Sequence, residues 1–521
     1  MALWNSLRLR LPFRGQATTP YRRHLSVQRQ RALLQWAIVL AVGLGLGMVA
    51  VAVVVLPRNL APLVAVAVLA PFVAMIVGQV RRLLLAVVIL DIVFQLDTYL
   101  FYRESLAELG ALGGLNVSLA TLALIALYVL WMVDALAQKE ARQPDWPRAL
   151  LLPAPYLALV LLSSLVATDA TLSLFEIFLL AQAFLIFVYL VGNVRTQEDL
   201  LFVVTILLLG LSLESLVMIG LWIRGESMEI ANVLFRVDPD RRIGGTVGSP
   251  NEAAAYISLL LTPAFALWMT RAGRLQKFLA ALAFMLGGAA LILTLSRGGW
   301  LAFLISFVLF SALAWYRGWL SPKIPLSLGG GMLILLIPFW RLIAERLFGD
   351  DNGSALARLP LARIALRMAR EHPWLGVGAN NFARVLPPYL TPEFKQEWIY
   401  TVHTKYLLVL AETGPAALLA FLAFLVGTLY RGWRAWMRRD RVVSPLALAF
   451  TAALVGQMVH MNVDIFNGRA QVQMLWLVAG LIAAMDRLTA QLPEQPPAGA
   501  PLTRRSPTLQ DIERIFYGTP S

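Results

Sequence analysis

Between residues 33 and 485 the chain returns again and again to one pattern, an apolar run of about twenty residues closed by a short polar or basic break. Few folds are open to such a chain. Backbone in hydrocarbon must satisfy its own hydrogen bonds, and a helix needs roughly 20 residues to cross. Candidate spans lie at 33–56, 59–80, 83–102, 115–136, 149–167, 174–192, 200–223, 252–269, 277–295, 299–316, 324–340, 408–430, 444–461 and 470–485. The expected fold is therefore all-α, a polytopic membrane protein with about 12–14 transmembrane helices and one large extracytoplasmic loop. A content of 59% hydrophobic and 14% charged residues excludes an ordinary soluble globule.

Charge sets the expected topology. The first apolar run follows a tail rich in arginine (Arg8, Arg10, Arg14, Arg22, Arg23, Arg29, Arg31) and has no small-residue cleavage site closely behind it. It reads as a retained first helix, not a removed signal peptide. Further basic residues gather at Arg81–Arg82, at Arg271, Arg274 and Lys277, at Arg317 and Lys323, and from Arg431 to Arg441. If every candidate spans, all of these fall on one side, and the positive-inside bias puts both termini of a multi-pass membrane protein in the cytoplasm. The net charge of +14 then needs no nucleic-acid partner. The absence of cysteine excludes disulfides, thiolate metal sites and cysteine nucleophiles.

The expected organisation is a basic cytoplasmic tail over 1–32, a transmembrane domain over 33–486, and a proline-rich, disordered cytoplasmic tail over 487–521. Two longer outside segments run from Arg224 to Asn251 and over 341–402, the second with eight basic and six acidic residues. Long loops translocate largely regardless of charge, so this composition does not conflict with the topology. Inside the second, Leu361, Ile364, Ala365 and Met368 recur at helical spacing while Arg363, Arg367 and Arg370 line another face. That pattern is an amphipathic helix at the membrane surface. Pro373 excludes His372 from it, and Gly376 and Gly378 mark the following turn.

Three places on the inferred outer face set strong polar groups against helix ends. In "RRIGGTVGSPNEAAAYISLLL", Ser249, Pro250 and Glu252 fit a capping box, and a helix N-terminus aimed outward suits an anion. Arg241 or Arg242 could fold back over it, although an ordinary cap with a solvated arginine pair satisfies the same spacing. In "LTLSRGGWLAFL", Arg297 joins two apolar runs through a turn short enough to hold its guanidinium at the bilayer surface. There it suits a phosphate, or simply snorkels. In "YTVHTKYLLVLAETG", His403 and Lys405 precede a span, and His403 is one of four histidines in the chain. A histidine at the outer boundary is either structural or a candidate base for an incoming hydroxyl.

The motifs "GTVGSPNEAAAYISLLL", "LSRGGWLAFLIS", "EHPWLGVGANNF" and "VHTKYLLVLAETGPAALLAF", in this order and with a long outside loop before the last, resemble those of the O-antigen ligase and polymerase superfamily. The resemblance covers roughly Arg241 to Asp464. It implies a membrane glycosyltransferase acting on polyprenyl (undecaprenyl) pyrophosphate-linked glycans on the extracytoplasmic face, without metal or cofactor. It also implies that His403 is the general base, that Arg242 and Arg297 hold the donor pyrophosphate, and that Arg358 is a further donor contact. Arg241 and Lys405 are expected nearby, Lys405 as an electrostatic aid. The acceptor would be a lipid, glycan or protein hydroxyl. Thr404 departs from the asparagine that many relatives carry after the motif histidine, which leaves open what orients His403.

A ligase and a repeat-unit polymerase need the same donor site and the same base. A secondary transporter would instead couple through the intramembrane acids Asp91 and Glu214, to which the sequence assigns no other role. Asp464 could orient a substrate or a catalytic group, or belong to a plain polar loop.

Overall fold

The computed structural model describes residues 79–137, 147–230, 233–321, 323–324, 340–341, 344–345, 354–390, 399–438 and 440–491. The expected span at 33–56, that at 59–80 but for its last two residues, most of that at 324–340, the tail over 1–32 and that over 487–521 but for 487–491 lie outside these residues; 487–491, expected in the disordered tail, are helical. The described residues from Arg81 onward belong to one compact unit.

In chain order its main helices are α1 (Val80–Phe94), α2 (Leu119–Ala137), α3 (Ala154–Ser163), α4 (Ala170–Asn193), α5 (Gln197–Arg224), α6 (Pro250–Met269), α7 (Arg274–Leu293), α8 (Arg297–Tyr316), α9 (Ser354–Glu371), α10 (Lys405–Met437), α11 (Val443–His460) and α12 (Arg469–Gln491). Eight of the described helices, α4 to α8 and α10 to α12, are long and apolar enough to cross a membrane. Each coincides with an expected span. The all-α polytopic fold is therefore what the chain adopts.

Where the apolar runs were expected to be single spans over 83–102 and 115–136, the structure differs. Helix α1 ends at Phe94, and the chain leaves it through Gln95, whose φ of +49° ends the helical path. The next residues form strand β1 (Asp97–Leu100), antiparallel to β2 (Leu115–Ser118). A second ribbon follows α5, in the order β3 (Met228–Ile230), β4 (Val233–Val237), β5 (Ile243–Gly245). Short apolar stretches can be strand or helix, and periodicity does not separate them.

Helix α12 is the axis of the bundle. Of its most apolar stretch 94% is buried, against 28% for α7 and 33% for α8, which turn most of their surface outward. It packs on α4, α10 and α11, while α8 lies along α11 and α6 fills the space between α7, α8 and α11. A buried charge cluster ties α12 to α1. Arg469 pairs with Asp91 and, at 2.8 Å, with Asp97. Asp91 also accepts from the backbone N–H of Leu96 and Ala120 at 3.1 and 2.8 Å. Glu214 accepts from the Thr246 N–H and hydroxyl at 2.8 and 2.6 Å, fastening the end of the second ribbon to α5. Both intramembrane acids thus have structural partners, as buried charges require.

Helix α10 is two helices joined at Gly414 (φ +83°) and Pro415. The break leaves carbonyls without helical partners, and the glycine turn of the long loop takes two of them. Val377 N–H donates to the Ala411 carbonyl at 3.0 Å and Gly378 N–H to that of Glu412 at 2.9 Å. The Glu412 carboxylate accepts in turn from Phe382 N–H at 2.9 Å. The amphipathic helix expected at the membrane surface is α9, which ends at Glu371, just ahead of the His372-Pro373 stop. It packs on α10 through buried Leu361, Ala365 and Met368.

Candidate active site

The chain direction alternates from helix to helix, so the starts of α6, α8, α10 and α12 and the ends of α5, α7 and α11 share one end of the bundle. The sequence-derived candidates gather there. Strands β4 and β5 pair Val237 with Ile243, and the turn between them closes through Asp238 N–H to the Arg242 carbonyl (2.8 Å) and Arg241 N–H to the Asp238 carbonyl (2.9 Å). Arg241 sits at the tip with φ +57° and is exposed. Arg242 is directed inward. Its Nε donates to the Thr294 carbonyl at 3.2 Å and its Nη2 to Asn251 Oδ1 at 2.9 Å.

Asn251 Oδ1 also accepts from the Ser296 hydroxyl at 2.9 Å. Ser296 is the N-cap of α8, its oxygen taking the Gly299 N–H at 3.3 Å, and half-buried Arg297 is the first residue of that helix. Arg242 therefore lies between the N-termini of α6 and α8, next to the residue that carries Arg297. Two helix starts and two guanidinium-bearing residues at one place suit an anion. Ser249 caps α6 as expected, accepting from Glu252 N–H at 3.3 Å. Ideal Cβ atoms on Gly248 and Gly468 would fall 2.2 Å and 2.7 Å from the Glu252 carboxyl group.

His403 stands in the short connection before α10. Thr401 fixes that connection, its N–H and hydroxyl both donating to the Leu109 carbonyl at 2.9 and 2.8 Å. The Thr401 carbonyl lies 3.0 Å from His403 Nδ1. A carbonyl only accepts, so Nδ1 carries the proton and the neutral ring keeps its lone pair on Nε2. The Tyr400 ring packs 5.4 Å away. The question raised by Thr404 is answered here: the backbone carbonyl of Thr401 orients the imidazole.

Burial, and after it the guanidinium of Arg358 on α9, push the His403 pKa down to about 4, against the opposing pull of Asp464. Burial raises Tyr400 above its usual value, with Glu252 and Asp464 adding to the shift. Asp464 receives a hydrogen bond from Gln471 at 2.6 Å. It is a charged neighbour of both His403 and His460.

Lys405, expected beside His403 at the donor, is turned away from it. The side chain is buried, its Nζ 4.0 Å from Glu176 of α4 with Glu412 also near, while its backbone N–H donates to the Met461 carbonyl at 2.9 Å. No sequence motif marks His460. It is buried at the end of α11, with Arg358 and Asp464 as charged neighbours and Gly298 of α8 against its ring. Its signal was topological, a second histidine at a span boundary on the face that holds His403. Among the described residues no cluster of three or more histidine, aspartate or glutamate side chains is arranged to hold a metal ion.

No curated protein matches the chain. A solved chain described as "Structural coordination of polymerization and crosslinking by a peptidoglycan synthase complex" is similar at 16% identity with a TM-score of 0.39, covering 68% of this chain and 100% of that one. Residues 280–422, which include Arg297, Arg358, His403 and Lys405 and leave Arg242 and His460 outside, match the family described as O-antigen ligase.

Proposed function

We propose that this protein transfers a glycan from a polyprenyl pyrophosphate carrier to an acceptor hydroxyl at the extracytoplasmic face of the inner membrane. The observation that carries the reading is the state of His403: a buried, neutral imidazole with Nδ1–H held by the Thr401 carbonyl and its lone pair therefore on Nε2. The ligase family match over 280–422 supports it. So does the charge distribution, since Arg195, Arg271, Arg274, Arg317 and Arg438 all lie at the opposite end of the bundle, the end that faces the cytoplasm under the positive-inside rule.

His403 Nε2 takes the proton of the acceptor hydroxyl as its oxygen attacks the anomeric carbon. The bond from that carbon to the pyrophosphate oxygen breaks, and the leaving pyrophosphate gains negative charge. Arg242, Arg297 and the N-terminus of α8 are preorganised to meet that charge where it develops. Asp464 offsets the imidazolium that forms, and burial, with Arg358 beside the ring, keeps it neutral at rest. A single displacement with one base and no covalent nucleophile inverts the anomeric centre. Lys405, directed at Glu176, anchors the start of α10 and so positions His403 two residues away.

Replacing His403 by alanine abolishes transfer on this reading while the donor lipid still binds, and near-normal transfer in that variant would remove the base. Deletion followed by analysis of lipid-linked glycans sets the acceptor class. Full-length polymer left on the carrier marks a ligase, and single repeats left on it mark a polymerase.

A further inference from the structure

His460 is 1% exposed, and its Nδ1 is fully buried with no hydrogen-bond partner among the described residues. A buried polar atom left without a partner is costly, and nearly all such atoms are paired. The ring is tight against the start of α8, where an ideal Cβ on Gly298 would lie 2.7 Å from Cδ2 and 2.9 Å from Nε2. Only glycine admits that approach. The first-turn N–H of Gly298 is one of the donors a helix leaves unsatisfied at its start, and Arg297 and the Arg242–Asn251–Ser296 chain flank the same helix end.

His403 has an acceptor at Nδ1, which puts its lone pair on Nε2. His460 has no acceptor at Nδ1 among the described residues, so an acceptor that reaches the ring edge against Gly298 would hold its proton on Nε2. An N–H donor beside a helix N-terminus and two arginine-bearing positions fits an oxyanion. We infer that His460 is a second donor-site histidine, giving its Nε2–H to an oxygen of the carrier pyrophosphate while His403 serves the acceptor. The inference rests on the proposed glycosyl transfer from a pyrophosphate carrier.

The test uses the full-length protein in detergent and inorganic pyrophosphate as the probe, with affinity measured by titration calorimetry and confirmed as inhibition of transfer. The substitutions His460→Gln and His460→Asn separate the two ring positions, because the glutamine amide nitrogen reaches the place of Nε2 and that of asparagine the place of Nδ1. Pyrophosphate affinity is expected to fall roughly tenfold or more in His460→Asn and His460→Ala and to stay near the parent value in His460→Gln. In transfer assays the loss appears mainly in the donor KM, with the acceptor KM unchanged. Parent-like pyrophosphate affinity in a folded His460→Asn protein overturns the inference. If Arg297→Ala weakens binding in the same series the proposed function stands without His460, and if Arg297→Ala and Arg242→Ala also bind as the parent, the pyrophosphate site itself is wrong.

Discussion

Acidification distinguishes a tuned His403 from an ordinary surface histidine. With a pKa of about 4, His403 remains neutral in roughly nine-tenths of molecules at pH 5, whereas a histidine at the unperturbed value of about 6.5 would be neutral in only about 3%. The profile of kcat/KM reports the free enzyme's essential base, so the two cases differ about thirtyfold at pH 5. The phosphates of a lipid-linked diphosphate diester are strong acids and do not titrate in this range. The assay is transfer from purified lipid-linked donor in detergent between about pH 4.5 and 8, each sample returned to pH 7 afterwards to exclude irreversible unfolding. The acid limb should begin well below pH 6. Arg358→Gln removes the positive neighbour that holds the pKa down, so its acid limb should move to higher pH. A parent profile that loses half its activity between pH 6 and 7, reversibly, would refute the environment assigned to His403.

Arg242→Lys keeps the charge but cannot span both the Thr294 carbonyl and Asn251, so the donor KM should rise by roughly fivefold to tenfold in steady-state assays, and an unchanged KM counts against the site. Gly414→Ala places a Cβ 2.2 Å from the Trp374 carbonyl oxygen at a φ of +83°. That φ with a ψ of 172° is a backbone region essentially confined to glycine and alone costs about 1–3 kcal/mol, so thermal melting in detergent should show a clear loss of stability. Arg469→Leu leaves Asp91 and Asp97 as uncompensated buried carboxylates and should cost about 3–5 kcal/mol, partly recovered when both are also changed to asparagine. Equal melting of the single and triple variants would contradict that pairing.

Some of this architecture is written in the sequence alone. The eight long described spans, the serine cap at Ser249, and the end of α9 before His372-Pro373 follow from hydropathy, capping chemistry and proline sterics. These effects act within one or two turns of chain, so the residues that cause them are also the residues that show them. The convergence of Arg242, Arg297 and His403 on one end of the bundle is likewise legible, because antiparallel spans alternate direction.

Tertiary packing decided the rest. Lys405 and His403 are two residues apart, yet one meets Glu176 and the other Arg358 and Asp464, because α4 brings its glutamate to the lysine while α9 and the α11–α12 connection bring their charges to the histidine. Asp91 looked like an unassigned intramembrane acid until Arg469, 378 residues away along the chain, came into contact with it. Thr401 orients His403 through a backbone carbonyl, a group every residue possesses and no side-chain pattern announces. His460 enters the site only because Gly298 lets α8 approach the end of α11. A sequence determines where helices begin, end and cross the membrane; which side chains meet between them depends on how their surfaces fit, and that is settled only when the bundle closes.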